Sequence, residues 1–298
     1  MEEIGELIGK GFGIWRRNLN LCIPFLLSVI LSMIVTLPFL AGIFLTYLPV
    51  ADINATMLQN DQDMQELISL MQSSLDHLDV AGLLPIAGIF LVWLVVLSLI
   101  NAFFTAGAVG MARQALDSGR SDTGSMWSAG RSHFLNMFLA TLLVGLLTLV
   151  GLIFFLPVLA QKTTTLPADS QTIGLAAVGL ILFVLYALVL SVVLVAMPYA
   201  LVIEKLGPSQ AVLASVEFFR YNKFDVAILW LVVVALSLGM QMIGGIFSAG
   251  EQANGSPLTA LYSLINVLVL APLSNLWWTR LYMNRKGMLK VDEVNDPW

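Results

Sequence analysis

Charge is what this sequence has least of: 11% of its 298 residues are Asp, Glu, Lys or Arg, against 58% hydrophobic ones. A soluble domain of this size carries roughly 25% charged residues and under half apolar ones, so the chain has too little charge to cover a water-facing globule. Histidine is almost missing as well. With His77 and His133 alone, no zinc-protease helix and no multi-histidine metal site can be assembled. The single cysteine, Cys22, excludes an intrachain disulfide and a cysteine metal cluster, and it reads as a small apolar packing residue. Neither a phosphate-cradling G-x-x-x-x-G-K-[ST] loop nor a G-x-S-x-G nucleophile turn occurs. No enzyme, no cofactor, no metal and no nucleic-acid partner is therefore expected.

What replaces charge is length of apolar run. Six segments, 21–47, 83–111, 134–159, 173–203, 226–247 and 258–283, meet the requirement of about 20 residues for a helix crossing a hydrocarbon core. None has an ionisable residue in its central part, and Arg280 lies only in the last turn of the sixth. Barrel strands would be shorter and would alternate in polarity. The basic residues fall on one side of these spans: Lys10, Arg16 and Arg17 before the first, then Arg113, Arg120 and Arg131, then Lys205, Arg220 and Lys223, and finally Arg280, Arg285, Lys286 and Lys290. Lys162 is the exception. Lys and Arg bias sets orientation during insertion. The expectation is an all-α, multi-pass protein of the plasma (cell) membrane, a single polytopic domain over 1–298, with both termini cytoplasmic and 284–298 as a cytoplasmic tail. Glu2, Glu3 and Glu6 make a poor signal-peptide n-region, so the first run is kept as a span.

Residues 53–79, between the first two spans, place Met64, Leu67, Ile68, Met71, Leu75 and Leu78 at three- and four-residue intervals, opposite Asp61, Asp63, Glu66, Asp76 and Asp79. That spacing predicts an amphipathic helix in the first outer loop. Its carboxylates read as a solvated acidic face, since no Gly-centred loop of alternating oxygen ligands is present.

The segments ahead of the odd-numbered spans resemble one another. The first (1–18) carries Trp15, Arg16 and Arg17 before Asn18; the second carries Trp127 and Arg131 before Asn136; the third carries Phe219, Arg220 and Tyr221 before Asn222. The expected unit is a short cytoplasmic interfacial helix followed by a helical hairpin, used three times. Aromatic and basic side chains suit a headgroup layer because each has an apolar body and a polar tip. These eight residues are the candidate contacts to lipid or to a partner, and the Asn residues are the caps that turn the chain into the bilayer.

Inside the spans the polar side chains are Asn101, Gln241, Asn266, Asn275 and scattered Ser and Thr; Asn101, Asn266 and Asn275 all lie in even-numbered spans, which suggests a shared polar seam. Pro38, Pro198 and Pro272 interrupt spans one, four and six. Small residues at 105–110 (TAGAVG), and Gly5, Gly9 and Gly13 along one side of the N-terminal helix, allow close backbone approach.

The stretches Gly11-Phe12 through Trp15-Arg16-Arg17-Asn18, Ala106-Gly107-Ala108-Val109-Gly110-Met111, Tyr199-Ala200-Leu201-Val202-Ile203-Glu204 and Trp277-Trp278-Thr279-Arg280-Leu281-Tyr282 resemble the membrane domain attached to some glycerophosphoryl diester phosphodiesterases, a six-span family with uncharacterised stand-alone members. The catalytic domain is absent, so the resemblance implies a membrane module and no phosphodiesterase activity. The function expected is a non-enzymatic integral membrane protein that organises lipid or a partner protein at the cytoplasmic face. The alternative is a small transporter or permease subunit for an apolar or amphipathic solute. Membrane lipid, a partner membrane protein or a second copy are the expected partners.

Overall fold

The computed structural model describes residues 2–47, 80–159, 170–249 and 264–289. The predicted outer helix 53–79, Lys162 and Lys290 lie outside them. The described residues are helical, with no strand among them. In chain order the helices are α1 (Ile4–Arg17), α2 (Ile23–Tyr47), α3 (Val80–Ser118), α4 (Thr123–Val150), α5 (Leu156–Leu159), α6 (Ser170–Val193), α7 (Met197–Ile203), α8 (Pro208–Tyr221), α9 (Lys223–Ala249) and α10 (Ala271–Arg285). Among the described residues five stretches are long and apolar enough to cross a membrane: Leu19–Gly42, Leu84–Ser118, Thr123–Val158, Thr172–Ile203 and Lys223–Met242. Only 6–17% of the most apolar window of each is buried. Side chains this apolar and this exposed are compatible with a lipid surrounding.

Two of the three segments expected to be interfacial form separate helices. The α1 helix has Glu6 in its first turn and Arg16 and Arg17 in its last, complementing its dipole. It ends where Asn18 leaves helical geometry (φ −130°, ψ 62°). The α8 helix starts with Gly207 as its cap and Pro208 at its first turn, and it ends at Asn222 (φ −125°, ψ 38°), whose Nδ2 donates to the Phe218 carbonyl at 3.0 Å. The middle segment differs from the expectation. Helix α4 runs unbroken through Asn136, so Trp127 and Arg131 sit on the first turns of a spanning helix and not on an interfacial one. Met126, Gly130, Met137 and Ala140 are buried at helical spacing on both sides of the expected break, and that continuous packed face keeps the helix in phase.

The prolines act through the hydrogen bonds they remove. Pro272 has no N–H for the Leu268 carbonyl four residues back, and the chain before it forms a π turn over Asn266–Leu270. Cys22 Sγ donates to that Leu268 oxygen at 3.0 Å. A comparable break separates α6 from α7, where the Met197 N–H turns to Leu194 and leaves the Val193 carbonyl to accept from Ser215 Oγ at 2.9 Å. Cys22 is thus a donor as well as a packing residue. Cys22→Ala is expected to cost about 1 kcal/mol and Cys22→Ser to restore most of it; thermal unfolding of the three proteins in one detergent measures this, and equal losses for both would refute it.

The chain divides into two compact units, Met1–Leu26 with Ala102–Trp298, and Leu27–Asn101. Within the smaller unit Phe39 stacks on Trp93 (centroids 4.7 Å apart, planes at 11°), and Trp93 Nε1 donates to Thr36 Oγ1 at 3.3 Å. Within the larger unit the buried core includes Leu7, Ala106, Val109, Met137, Leu201, Phe218, Leu281 and Tyr282. These residues come from α1, the later turns of α3, the first half of α4, α7, α8 and α10, the same stretches that carry most of the basic residues. Small residues set the spacing there. A Cβ on Gly107 would stand 2.7 Å from Met126 Cγ, and one on Gly110 would collide with Ala129 Cβ. On α1 the close approach is at Gly11, where a Cβ would meet the Trp277 ring at 2.5 Å, while Gly5, Gly9 and Gly13 face open space.

Candidate functional site

The basic end of the larger unit is built on ion pairs between distant parts of the chain. Arg280 donates to both Glu2 oxygens, from Nε at 2.9 Å and from Nη2 at 2.7 Å. Lys10 donates to Glu2 at 3.1 Å, and Arg285 Nη2 donates to the Glu2 carbonyl at 3.0 Å while its Nε holds Asp225 at 2.7 Å. Beside them Glu204 accepts from the Tyr282 hydroxyl and pairs with Lys286 at 3.0 Å. The Arg280 guanidinium pulls the Glu2 carboxyl down; burial pushes it up by less, Lys10 adds to the fall, and it rests at about 2. Burial also raises Glu204, but the bonds from Tyr282 and Lys286 outweigh it and leave that carboxyl below its ordinary value. The carboxylates Glu204 and Asp225 are therefore each held by their own cation, and no acid pair forms from them.

Nothing local in the sequence marks Glu2 as the partner of Arg280. The available signal is that Arg280 is the ionisable residue placed furthest inside an expected span, which demands a nearby carboxylate. Asn18 is a second clamp of this kind. Its Nδ2 donates to Ile14 and Gly119 carbonyls, both at 3.0 Å, and its Oδ1 accepts from the Ser121 N–H at 2.9 Å, fixing α1 to the α3–α4 turn.

The remaining cations make no ion pair among the described residues: Arg16, Arg17, Arg120, Arg131, Lys205, Arg220 and Lys223 are all exposed. Aromatic rings share that end. Trp127 is 51% exposed and lies 5.2 Å from Phe103, Tyr221 is 81% exposed and Phe224 83%. Trp15 is half-buried against Phe12, and Phe219 is half-buried against the core. Between α8 and the start of α9, Leu213, Val216, Glu217, Arg220, Tyr221 and Lys223 line a concavity of about 490 Å³, within the range of small-ligand sites.

The three seam amides do not share a hydrogen bond. Asn101 accepts from Ser28 at 3.3 Å within the smaller unit. Asn275 donates to the Ala108 carbonyl at 2.9 Å and ties α10 to α3. Asn266, in the π turn, instead lines a cavity with Ser237 and Ser274. Among the described residues no group of three or more His, Cys, Asp or Glu side chains gathers closely enough to hold a metal ion.

Residues 66–279 match a family described as a domain of unknown function, DUF7847. The chain belongs to the DUF7847 family. The matched range takes in Trp127, Arg131, Phe219, Arg220, Tyr221 and all three amides, and leaves out α1 and the Glu2 end of the ion-pair cluster. An uncharacterized protein of Archaeoglobus fulgidus is 24% identical over 302 residues, 97% of either chain. No solved structure matches. Neither DUF7847 nor the Archaeoglobus protein carries a link to the phosphodiesterase membrane domain.

Proposed function

We propose that this DUF7847 protein is a non-enzymatic, six-span protein of the cell membrane, with cytoplasmic termini, that gathers anionic lipid around its basic end. The observation that carries the reading is the division of cations. Lys10, Arg113, Arg280, Arg285 and Lys286 are used in internal ion pairs. Arg16, Arg17, Arg120, Arg131, Lys205, Arg220 and Lys223 are exposed without an acid partner, among aromatic side chains suited to a headgroup layer. A partner membrane protein with an acidic surface would use the same cations. The resemblance to a phosphodiesterase membrane domain agrees with a module of this kind and adds no chemistry to it. The sixth span, 258–283, rests on its hydropathy and on Arg280 at its basic end.

Each basic residue beside an anionic surface contributes about 1 kcal/mol to attraction. The triple change Arg16→Ala, Arg17→Ala and Arg220→Ala is therefore expected to weaken phosphatidylglycerol retention about a hundredfold. Native mass spectrometry of the protein in nanodiscs of mixed phosphatidylglycerol and phosphatidylcholine reads this. Unchanged retention in a folded triple variant would end the lipid reading. A second reading, a small transporter for an apolar or amphipathic solute, is favoured by the interrupted helices and by the cavity at Asn266.

A further inference from the structure

The cavity between α9 and α10 has features that packing alone does not explain. Its volume is about 130 Å³, and it is lined by Leu236, Ser237, Asn266, Leu270, Ser274 and Trp277 among others. Ser274 lies roughly 16 Å from the Arg285 end of α10, and Ser237 roughly 21 Å from the Lys223 end of α9, at 1.5 Å per residue. For a hydrocarbon core of about 30 Å that is near the bilayer middle. The wall is broken there by the π turn Asn266–Leu270, which runs straight into Pro272. Such interruptions recur at functional sites in helices, and discontinuous helices line solute sites at the membrane midplane.

The polar groups decide what would enter. Ser237 Oγ donates to the Val233 carbonyl at 2.9 Å, which leaves its lone pairs as acceptors. Trp277 spends its N–H on the Ile8 carbonyl at 3.2 Å and offers only ring surface. Asn266 and Ser274 have no side-chain hydrogen bond among the described residues. Asn266 is exposed and Ser274 half-buried, and at this depth in a bilayer no water is at hand to bond the amide or the hydroxyl. No charged side chain lines the space. A cavity of about 150 Å³ holds a six-carbon ring, so the volume suits about six heavy atoms.

We infer that this cavity is a binding site for a small uncharged alcohol, whose hydroxyl satisfies Asn266, Ser274 and Ser237 while its apolar body lies against Leu236, Leu270 and Trp277. The inference extends the transporter reading, but binding is measured without flux, so the site and the transport activity can fail separately. The same chemistry, a hydroxyl on an apolar body, also occurs at the head of a diacylglycerol.

The probe is a diazirine-bearing six-carbon alcohol, photoreacted with the full chain in nanodiscs and mapped by mass spectrometry. Expected are saturable adducts on α9 and α10 around Ser237 and Ser274, reduced at least fivefold by excess cyclohexanol and by Ser274→Leu, and unchanged in Gly5→Ala, where an added Cβ meets nothing within 4 Å. Asn266→Leu is a second variant should Ser274→Leu fail to fold. Equal labelling by the hydrocarbon lacking the hydroxyl, or non-saturable labelling spread over the lipid-facing helices, would overturn the inference. Competition by a diacylglycerol and not by cyclohexanol would overturn the small-alcohol assignment in favour of a lipid.

Discussion

Glu2→Gln is expected to lower the thermal midpoint of the detergent-solubilised protein by about 5 °C at pH 7, the largest loss from removing one charge. The Glu2 side chain is 20% exposed and that of Arg280 9%, so neutralising the carboxylate strands a guanidinium that has little access to water. Breaking a fully buried pair costs about 3–5 kcal/mol; partial exposure of Glu2 brings the expected cost to about 2 kcal/mol, and about 2–4 °C accompanies each kcal/mol in a chain of this class. The pH dependence follows in sign. The carboxyl of Glu2 is depressed in the folded protein, from 4.5 to about 2. Its contribution is therefore complete above about pH 4.5 and is lost as the pH falls toward 2. The wild-type midpoint should drop across that window more steeply than the Gln variant's. Matching midpoints at pH 7 and matching acid slopes would show that the pair does not hold the end of the fold together.

Gly110→Val is expected to disrupt the larger unit, at about 3 kcal/mol or by outright failure to fold. The obstacle to a side chain at Gly110 is Ala129 Cβ, with the Ser125 carbonyl behind it. Neither is the end of a flexible side chain that can swing away, so α3 and α4 would have to separate, and overpacking of this kind is among the costliest core changes. Gly9→Val is the control: nothing lies within 4 Å of a Cβ there. Yield and monodispersity by size-exclusion chromatography, followed by thermal unfolding, separate the two. Equal behaviour would mean that α3 and α4 are not held at this distance.

The two glycine positions show how much was legible. Residues 105–110 are crowded with small side chains, and close approach was expected there because a run of Gly and Ala in a span has few other uses. On α1 the same reasoning pointed to Gly5, Gly9 and Gly13, yet Trp277 packs against Gly11. Periodicity names a face of a helix but not the residue that meets it. The repeat fared similarly. Asn18 and Asn222 both leave helical geometry with closely matched angles, whereas Asn136 stays within α4 because Met137 and Ala140 are already packed beside it. An Asn can end a helix, and tertiary contacts decide whether it does.

The eight candidate contact residues are proposed because aromatic and basic side chains next to apolar runs have a known use in headgroup layers. The division of cations into used and unused could not be read from the sequence, since Glu2 and Arg280 are 278 positions apart. By itself the sequence determined a helical chain with long apolar runs, its basic residues clustered between alternate runs, and breaks near Pro198 and Pro272, because run length, charge placement and the missing proline N–H are local properties. Only the tertiary structure decided which cations were consumed, which side chains took up the freed carbonyls of Val193 and Leu268, and where Asn266 and Ser274 were left without a hydrogen-bond partner among the described residues. Those outcomes depend on which helices meet, and a hydrogen bond or an ion pair is satisfied by whatever group the fold brings within about 3 Å, however distant it is along the chain.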